Sequence, residues 1–499
     1  MNTDKGLVTY GLAGIWVILL LGLMFLMTTA PAVAQGGTVV WEDPVRLSDP
    51  DFMAWPTSIV ADSAGNVHIM WSQTLTENPP PGEGDTIFYT RWDGEKLLEP
   101  VDVLVSREGA SIAPQVAVTA DGLLHAVWYT GGENSRLLYA SAPACCADNP
   151  RNWSRVRSLG GPVFDAPGFM ADASGRLHAA FAANDSSNIV YVRSDDGGET
   201  WPVLAEIPGN ALLSDEYAAS PRLAVDGKGR VHMVWEIGPF PGRTVMYARS
   251  DDGGNTWNVP EEIDTWQRKD YASGFGPLLI DVEAVGDDQV HIIWDGAPTI
   301  ERTHIWSADG GVTWSPYNNQ VFPSVTGVGR SGFNDMAVDS AGRLHAISIH
   351  GNRNALHSAW NNGFWLPPID IPTNGAAEHP HIAISEGNII HFVWTDKNQE
   401  PFINWYVKGK IEGAPKLPAV PLSVIPPTVT PAPTIVPSTP TPAPAPTPEL
   451  TSAGTQPLDD APSTSLASNN PGMAIVVGLV PVLLFIGVIV LVRLIAQAR

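Results

Sequence analysis

Several arginines, tyrosines and carboxylates fall in loops that the repeat pattern of the chain assigns to one end of the molecule. Guanidinium groups bind carboxylates through paired hydrogen bonds, so arginines that converge could hold an anionic ligand. Tyrosine and carboxyl groups could act there as nucleophile, acid or base. Solvated loop charge is the alternative explanation for the arginines. The ligand-binding candidates are Arg243, Arg268, Arg302, Arg330 and Arg353, and the weak catalytic candidates are Tyr271, Glu216, Glu236 and Asp295.

The elements that must position these residues repeat along the chain. A histidine recurs within an apolar strand pattern at intervals of about 50 residues, at His68, His125, His178, His232, His291, His345 and His391. A repeat of this length with about four strands, named a to d, predicts one blade of a β-propeller. The histidine lies in strand b, which is not the innermost strand. We therefore expect the seven imidazoles to be far apart and packed within their own blades, and we predict no metal site.

A second pattern, Ser-x-Asp-x-Gly-x-Thr-Trp, recurs three times between strands c and d. A short carboxylate can accept hydrogen bonds from nearby backbone N–H groups, glycine adopts φ > 0, and tryptophan anchors the start of strand d. The pattern predicts a tight turn in each of three blades. A Ca²⁺ site built from its acidic pairs is the minor alternative. The residues are Ser194, Asp196, Gly198, Thr200 and Trp201; Ser250, Asp252, Gly254, Thr256 and Trp257; and Ser307, Asp309, Gly311, Thr313 and Trp314.

These three motifs resemble the Asp box, or bacterial neuraminidase repeat, of sialidase-like β-propellers. The resemblance implies a propeller in which the box is a structural turn on the side away from the active site. It also implies three arginines that grip sialic acid, a tyrosine nucleophile activated by a glutamate, and an aspartate acid/base. The family's Arg-Ile-Pro motif is absent here, because the matching strands read Met53-Ala54-Trp55-Pro56 and Ser111-Ile112-Ala113-Pro114. The resemblance therefore covers the scaffold and not the catalytic set.

The blade count follows from the strands. Seven strand-b histidines and seven tryptophans at strand d predict seven blades over 37–413, with six blades as the alternative. The last repeat lacks a strand d of its own, and the first such strand, at Trp41, precedes any strand a. We therefore predict that the N-terminal strand completes the last blade and closes the ring, which removes open sheet edges. The fold class is all-β.

The flanking segments predict attachment to a membrane. Residues 1–34 are typical of a signal peptide or signal anchor. Residues 414–471 are rich in proline, threonine and serine and predict a disordered stalk. Residues 472–495 are apolar and long enough for a transmembrane helix, followed by a short cytoplasmic tail at 496–499. These features predict a propeller on the extracytoplasmic side.

The net charge and the two cysteines add further information. The formal charge of −24 argues against nucleic acid as a partner. The only cysteines, Cys145 and Cys146, are adjacent and lie where blade 2 would have its Asp box. In an oxidising compartment they could form a vicinal disulfide, or remain two free thiols.

Three functions remain open from the sequence. The first is a membrane-anchored module that recognises a glycan or a surface protein through its loops. The second is an exo-sialidase or other glycoside hydrolase with a divergent site, and the third is an architectural surface protein. Fold alone does not choose among them. No cofactor is predicted.

Overall fold

The computed structural model describes residues 37–75, 84–106, 109–132, 134–183, 188–209, 216–238, 243–268, 276–296, 300–318, 334–349, 355–361, 363–373, 377–397 and 400–422. They all lie in the first of the two units into which the chain divides, Met1–Val429. Within these ranges no helix is long and apolar enough to cross a membrane. The predicted signal segment, the stalk beyond residue 422 and the predicted transmembrane helix lie outside the described residues.

The described strands form seven antiparallel sheets, one for each blade. The first four blades each contain four strands in the order a to d. Blade 1 comprises β3 Met53–Ala61, β4 Val67–Thr74, β5 Thr86–Trp92 and β6 Val101–Val105; blade 2 comprises β7 Ile112–Val118, β8 Leu123–Tyr129, β9 Leu137–Pro143 and β10 Arg157–Gly160; blade 3 comprises β11 Gly168–Ala171, β12 Leu177–Ala182, β13 Asn188–Ser194 and β14 Val203–Pro208; blade 4 comprises β15 Ala218–Val225, β16 Val231–Ile237, β17 Thr244–Ser250 and β18 Glu261–Thr265.

The last three blades are less regular. Blade 5 shows three strands among the described residues, and strand d of blade 6 is very short. Blade 5 comprises β19 Leu278–Val285, β20 Gln289–Gly296 and β21 Ile300–Ser307; blade 6 comprises β22 Asn334–Val338, β23 Leu344–Ile349, β24 Ala355–Asn361, β25 Phe364–Trp365 and β26 Ile369–Asp370; blade 7 comprises β27 Ala377–Ser385, β28 Ile389–Asp396 and β29 Ile403–Ile411, with β1 Val39–Trp41 and β2 Val45–Arg46.

The N-terminal strands close the ring, as the sequence predicts. Val39 pairs with Ile411 on β29, and Val45 pairs with Tyr406 farther along the same strand. Blade 7 is therefore built from both ends of the described chain. The edge that β29 would otherwise expose is covered.

The core is divided among the contacts between blades. Seven apolar clusters occur among the described residues, and each joins two neighbouring blades. Leu47 and Val393 of blade 7, for example, pack with Val67 and Trp71 of blade 1. Strand b is covered on both faces, and all six residues of β12 are buried. This pattern confirms a seven-bladed propeller and rules out the alternative of six blades.

The two ends of the propeller differ in their connections. The a–b and c–d turns lie at one end, called here the turn face. The b–c loops and the connections between blades lie at the other end, called here the loop face.

A segment after β29, residues 412–422, crosses the turn face and is called here the strap. The N–H of Leu417 donates to the Glu386 carbonyl at 2.8 Å, and the N–H of Val420 donates to the Ser63 carbonyl at 2.7 Å. The hydroxyl of Ser340 donates to the carbonyl of Pro415. Ser340, Glu386 and Ser63 belong to the a–b turns of blades 6, 7 and 1. The strap therefore reinforces the closure of the ring.

One detail of the predicted blade is wrong. The tryptophan expected to open strand d precedes that strand, so Trp201 lies before β14 and Trp257 before β18. The indole folds back on its own turn, where Trp201 Nε1 donates to the Gly198 carbonyl at 3.1 Å. Its ring meets Tyr139 of the preceding blade edge to face, with centroids 5.1 Å apart. Packing between blades, rather than pairing within the sheet, therefore sets its position.

Candidate functional site at the axial channel

A repeated hydrogen-bond network holds the turn face together. In blade 4, His232 Nδ1 lies 2.8 Å from the Tyr247 hydroxyl on strand c, and Nε2 lies 3.3 Å from Asp226 in the a–b turn. Burial lowers the pKa of His232 despite the nearby carboxylate. Burial opposes the charge of Asp226, but hydrogen bonds from His232 and Arg230 outweigh it and lower its pKa to about 2. A neutral imidazole therefore donates from Nε2 and accepts the tyrosine proton at Nδ1.

Every blade repeats the contact of the histidine with strand c, whereas in blade 5 the Nε2 atom of His291 finds no hydrogen-bond partner among the described residues. All seven strand-b histidines are fully buried. The Nδ1 partners in chain order are Tyr89, Tyr139, Tyr191, Tyr247, His304, His357 and Tyr406. Each histidine serves its own blade, so the set is a structural ring of separate networks.

The three Ser-x-Asp-x-Gly-x-Thr-Trp turns share one hydrogen-bond pattern. In the copy of blade 4, Ser250 Oγ donates to Asp252 Oδ1 at 2.8 Å and accepts from the Gly254 N–H at 2.7 Å. The Thr256 hydroxyl and N–H both donate to Asp252, at 2.7 and 2.8 Å. The hydrogen bonds from Thr256, first its N–H and then its hydroxyl, lower the pKa of Asp252 to about 2 even though the group is exposed. The predicted tight turns are therefore present.

These turns also join neighbouring blades. Gly254 has φ +98°, and a Cβ there would lie 2.1 Å from the Tyr191 hydroxyl of blade 3. Arg193 Nη1 of blade 3 donates to the Gly253 carbonyl at 2.6 Å. The glycine is therefore required by a close approach between blades as well as by its backbone conformation. We call this set of contacts the turn-face latch.

Blade 2 replaces the repeated turn with the cysteine pair. Cys145 and Cys146 are joined by a disulfide bond and lie in the 3₁₀ turn Ala144–Cys146, between strands c and d. Arg91 Nη1 of blade 1 donates to the Ala144 carbonyl at 3.4 Å. The disulfide therefore occupies the place that the Asp-box-like turns take in blades 3 to 5.

The innermost strands place one residue of each blade at the same height around the axial channel. In every blade this residue pairs with the second residue after the strand-b histidine. The set is called here the inner ring and comprises Ser58, Gln115, Gly168, Arg222, Asp281, Asp335 and His381. The positive charge of Arg222 in blade 4 also helps to lower the pKa of His379 in blade 7, after burial, Lys397 and His381.

The inner ring is asymmetric in charge. Blades 4 to 7 contribute Arg222, Asp281, Asp335 and His381, whereas blades 1 to 3 contribute serine, glutamine and glycine. His381 Nδ1 lies 3.5 Å from Asp335 Oδ2, which also accepts the Ile382 N–H at 2.6 Å. One half of the channel wall is therefore charged or titratable, and the other half is neutral.

Three carboxyl groups near the charged half hold their protons more tightly than usual. Burial raises the pKa of Glu236 to about 7, with Asp165 adding to the effect and the Ile280 N–H opposing it. Burial and the Asp335 carboxylate raise the pKa of Glu283 to about 8. Burial and Asp335 also raise the pKa of Asp281, against the opposing charge of Arg222. At neutral pH the channel can therefore donate as well as accept hydrogen bonds.

The loop-face end of the channel carries a second polar group on blade 7. Lys397 Nζ donates to His379 Nε2 at 2.9 Å and lies 3.9 Å from Glu378. It also lies 5.4 Å from the centroid of the Phe402 ring. Burial and the Lys397 charge hold the pKa of His379 well below its usual value. His379 also has φ +48°, a backbone conformation repeated two residues before the inner ring at Ala113, Ser220 and Leu279. Strained backbone of this kind is common at binding sites.

The predicted ligand-binding arginines that the structure describes are engaged within the protein. Arg302 and Asp295 form a buried pair at 2.9 Å, and Arg302 also donates to Ser348 of blade 6. Arg268 pairs with Asp264 at 3.0 Å and lies 4.6 Å above the ring of Tyr317.

These two arginines lie on opposite faces of blade 5. Arg302 reaches toward blade 6, and Arg268 donates to Thr303 Oγ1, whose residue follows Arg302 on the same strand. Side chains of consecutive strand residues point to opposite faces, so the sheet separates the two guanidinium groups. They do not share a pocket.

The remaining candidates are dispersed. Arg243 lies 5.2 Å over the ring of Trp266 at the outer part of blade 4. Glu216 lies just before β15 and is half-buried. Glu236 is the candidate that the structure places beside the inner ring. The other predicted residues, Tyr271, Arg330 and Arg353, lie outside the described residues.

The inner ring itself was missed at the level of sequence. A signal for it exists, because the ring residue directly follows a proline in four blades, at Gln115, Gly168, Arg222 and His381. Aligning the repeats on that proline would have placed these side chains in one layer.

Metal ligation finds no support in the described part of the chain, where no group of three His, Cys, Asp or Glu side chains could hold an ion. The acidic pairs of the turns are already bonded. Asp195 pairs with Arg193 at 2.7 Å, and Asp196 accepts from Ser194 and Thr200.

Comparisons with known proteins give low similarity. No family model matches the chain, and no curated protein matches it. Among solved structures, a PL25 ulvan lyase is 12% identical with a TM-score of 0.47, covering 72% of this chain and 95% of that chain. The Hadza microbial sialidase Hz136 is 14% identical with a TM-score of 0.44, covering 73% and 68%. The α-L-arabinofuranosidase Arb93A from Fusarium graminearum is 11% identical with a TM-score of 0.43, covering 75% and 97%. Likeness at this level carries no argument about function.

Proposed function

We propose that this protein is a recognition module whose ligand binds in the axial channel, at its loop-face end. The observation that carries the proposal is the charge asymmetry of the inner ring. Four adjacent blades place Arg222, Asp281, Asp335 and His381 at a position where the other three blades have uncharged residues. The charged and titratable residues are therefore gathered on one side of the ring instead of being spread around it.

The chemistry of the channel suits a glycan or a polar segment of a surface protein. Protonated Glu236 and Glu283 can donate hydrogen bonds, while Asp335 can accept them. The Phe402 ring offers an apolar surface near Lys397. A ligand rich in hydroxyl or amide groups would match this mixture, and the acidic balance does not suit nucleic acid.

The proposal includes display at a membrane. An Asp-box propeller of sialidase-like type would be exported by residues 1–34, carried on the stalk 414–471 and anchored by a helix at 472–495. The support is the apolar character and length of the terminal segments and the proline-rich composition between them. An architectural role remains the alternative if the channel binds nothing.

A glycan array probed with the full chain in detergent would test recognition. We expect binding to a subset of neutral or amino-sugar glycans that falls at least about tenfold in Arg222→Met and in Asp335→Asn, since each change removes a charged hydrogen-bonding group. Asp102→Asn, on exposed strand d of blade 1, is the matched control and should bind normally. Binding that survives both channel changes would place the ligand elsewhere.

A glycoside hydrolase is the second candidate, and Glu236 favours it. A carboxyl group with a pKa of about 7 is suited to donate a proton to a leaving group at neutral pH. Turnover of fluorogenic sialosides or other glycosides, reduced about 10²-fold or more in Glu236→Gln, would establish an enzyme. Turnover unchanged in that variant would exclude Glu236 as the acid, and silence across the panel would leave recognition as the function.

A further inference from the structure

A cleft between the outer strands of blades 1 and 2 lies apart from the axial channel. Its volume is about 640 Å³, within the range of ligand sites in proteins. Val105 of blade 1 and Leu138 and Val156 of blade 2 form its apolar wall. Val105 is 58% exposed, so this wall is open to solvent at the rim of the propeller.

Two arginines mark the ends of the cleft. Arg136 precedes β9 on the loop-face side, and Arg155 precedes β10 on the turn-face side. Leu138 pairs with Ser158 between them. This register separates the two Cα atoms by about five residues along the strand direction, or about 16 Å at the rise of a β-strand. The spacing suits an extended ligand rather than a single small ion.

The charge of the cleft is opposite to that of the protein. The formal charge of the chain is −24, yet the described residues that line the cleft include both arginines and no carboxylate. Within the described ranges neither guanidinium has a carboxylate at ion-pair distance, in contrast to Arg268 and Arg302. Both arginines are exposed. Exposed guanidinium groups in an acidic protein favour an anionic occupant.

The backbone at the loop-face end is already satisfied. The Thr130 carbonyl accepts the Ala110 N–H at 2.9 Å, and the Thr130 N–H donates to the Arg136 carbonyl at 3.1 Å. A peptide could not pair with the backbone of Thr130 as a further strand, because such pairing requires free backbone groups. Recognition would rely on side chains, namely the two guanidinium groups, the Asn134 amide and the apolar wall.

We propose that this cleft binds an anionic oligosaccharide, with acidic groups of the chain held by Arg136 and Arg155. The sugar rings between them lie against Leu138 and Val156, whose side chains suit the C–H faces of a carbohydrate. This site is independent of the proposed channel site. A carboxylate-bearing chain would satisfy both guanidinium groups while presenting hydroxyl groups to Asn134.

Binding of a fluorescent tetragalacturonate to the full chain tests the inference. We expect affinity to fall about tenfold in Arg136→Gln and in Arg155→Gln, and to weaken with added salt. Arg151→Gln, in the neighbouring 3₁₀ turn and outside the cleft lining, is the matched control and should bind like the unchanged protein.

Other outcomes would overturn the proposal. Absence of binding, or equal affinity in both cleft variants, would show that the arginines hold no such ligand. Equal binding of an oligoglutamate peptide with the same dependence on Arg136 and Arg155 would reject a saccharide in favour of an acidic polypeptide. Both arginines are exposed, so unchanged thermal unfolding of the variants would show that the effect concerns binding and not folding.

Discussion

The turn face and the axial channel are built from the same seven repeats but use them differently. At the turn face, blade after blade places a histidine between a strand-c hydroxyl or imidazole and a polar group of the a–b turn. At the inner ring, equivalent positions hold residues as different as Gly168, Arg222 and His381. A repeated residue serves a need common to every blade, whereas a residue peculiar to one blade serves the molecule as a whole.

The largest expected effect is the response of the turn face to acid. Burial lowers the pKa of His125 to about 4 and those of His291 and His391 to about 3. The unfolded chain binds these protons below its pKa of about 6.5, whereas the folded chain does not, so stability is present above that pH and is lost below it. Between pH 6.5 and 5 each of the three should lose about 2 kcal/mol. Thermal unfolding midpoints across pH 7 to 4.5 measure this loss, and a flat profile would contradict the neutral histidines.

Removal of one carboxylate from the network should have the next largest effect. Asp226→Ala leaves His232 and Arg230 without their shared acceptor, in a site where Asp226 is 5% exposed. We expect a loss of about 1–3 kcal/mol in urea unfolding, because the buried His232 loses its acceptor, whereas Arg230 keeps its ion pair with Asp288. The matched inner-ring change Arg222→Met should cost less than about 1 kcal/mol. An equal loss of unfolding free energy in the two variants would show that the inner-ring residue is as important for stability as the turn-face residue.

A channel carboxyl group should behave in the opposite way. Burial raises the folded pKa of Glu283 to about 8, above its unfolded value of about 4.5, so this group destabilises the protein progressively as the pH rises from about 4.5 to 8, and the loss is complete above 8. Glu283→Gln should therefore raise the free energy of unfolding at pH 9 by roughly 1–2 kcal/mol and leave it nearly unchanged at pH 5. The gain is modest because the Glu283 side chain is partly exposed to solvent. Unfolding midpoints at the two pH values provide the measurement. A loss of stability at pH 9 would mean that the carboxylate is already compensated.

The smallest expected effect tests the equivalence of the three turns. Thr200, Thr256 and Thr313 each donate a hydroxyl to the aspartate of their own turn at 2.6 to 2.7 Å, in exposed positions. Replacement of each by valine should cost about 1 kcal/mol in urea unfolding. Three similar losses of unfolding free energy would support equivalent turns. One much larger loss would show that the turn of that blade contributes more to stability than the other two.

The sequence predicts the features that repeat in every blade, but not the residues that differ from blade to blade. The histidine interval, the motif around Asp252 and the placement of Trp41 were enough for seven blades and for closure by the N-terminal strand, because each depends on a local pattern repeated many times. The inner ring depends on the register of strand a against strand b, which a single sequence does not display. Arg222 and Asp335 lie far apart in the chain and come together only when the ring closes.

The arginines illustrate the reverse error. The sequence places Arg268 and Arg302 in or beside loops, but each has a carboxylate partner within the fold. Asp264 lies four residues before Arg268, and Asp295 lies on the strand next to Arg302. An arginine whose partner is not apparent from the sequence can form an ion pair in the folded protein. Which face of blade 5 each side chain takes is set by strand alternation, and this alternation also keeps the two groups apart.

The strap has a mechanical consequence. Its contacts with the a–b turns of blades 7 and 1, through Glu386 and Ser63, occur one after another along the segment. Tension applied at residue 422 would break them singly, starting at Val420, before any load reached β29. That strand is held between β28 and β1, so its hydrogen bonds would have to yield together. Under such tension the hydrogen bonds of the strap would therefore break before those that close the ring.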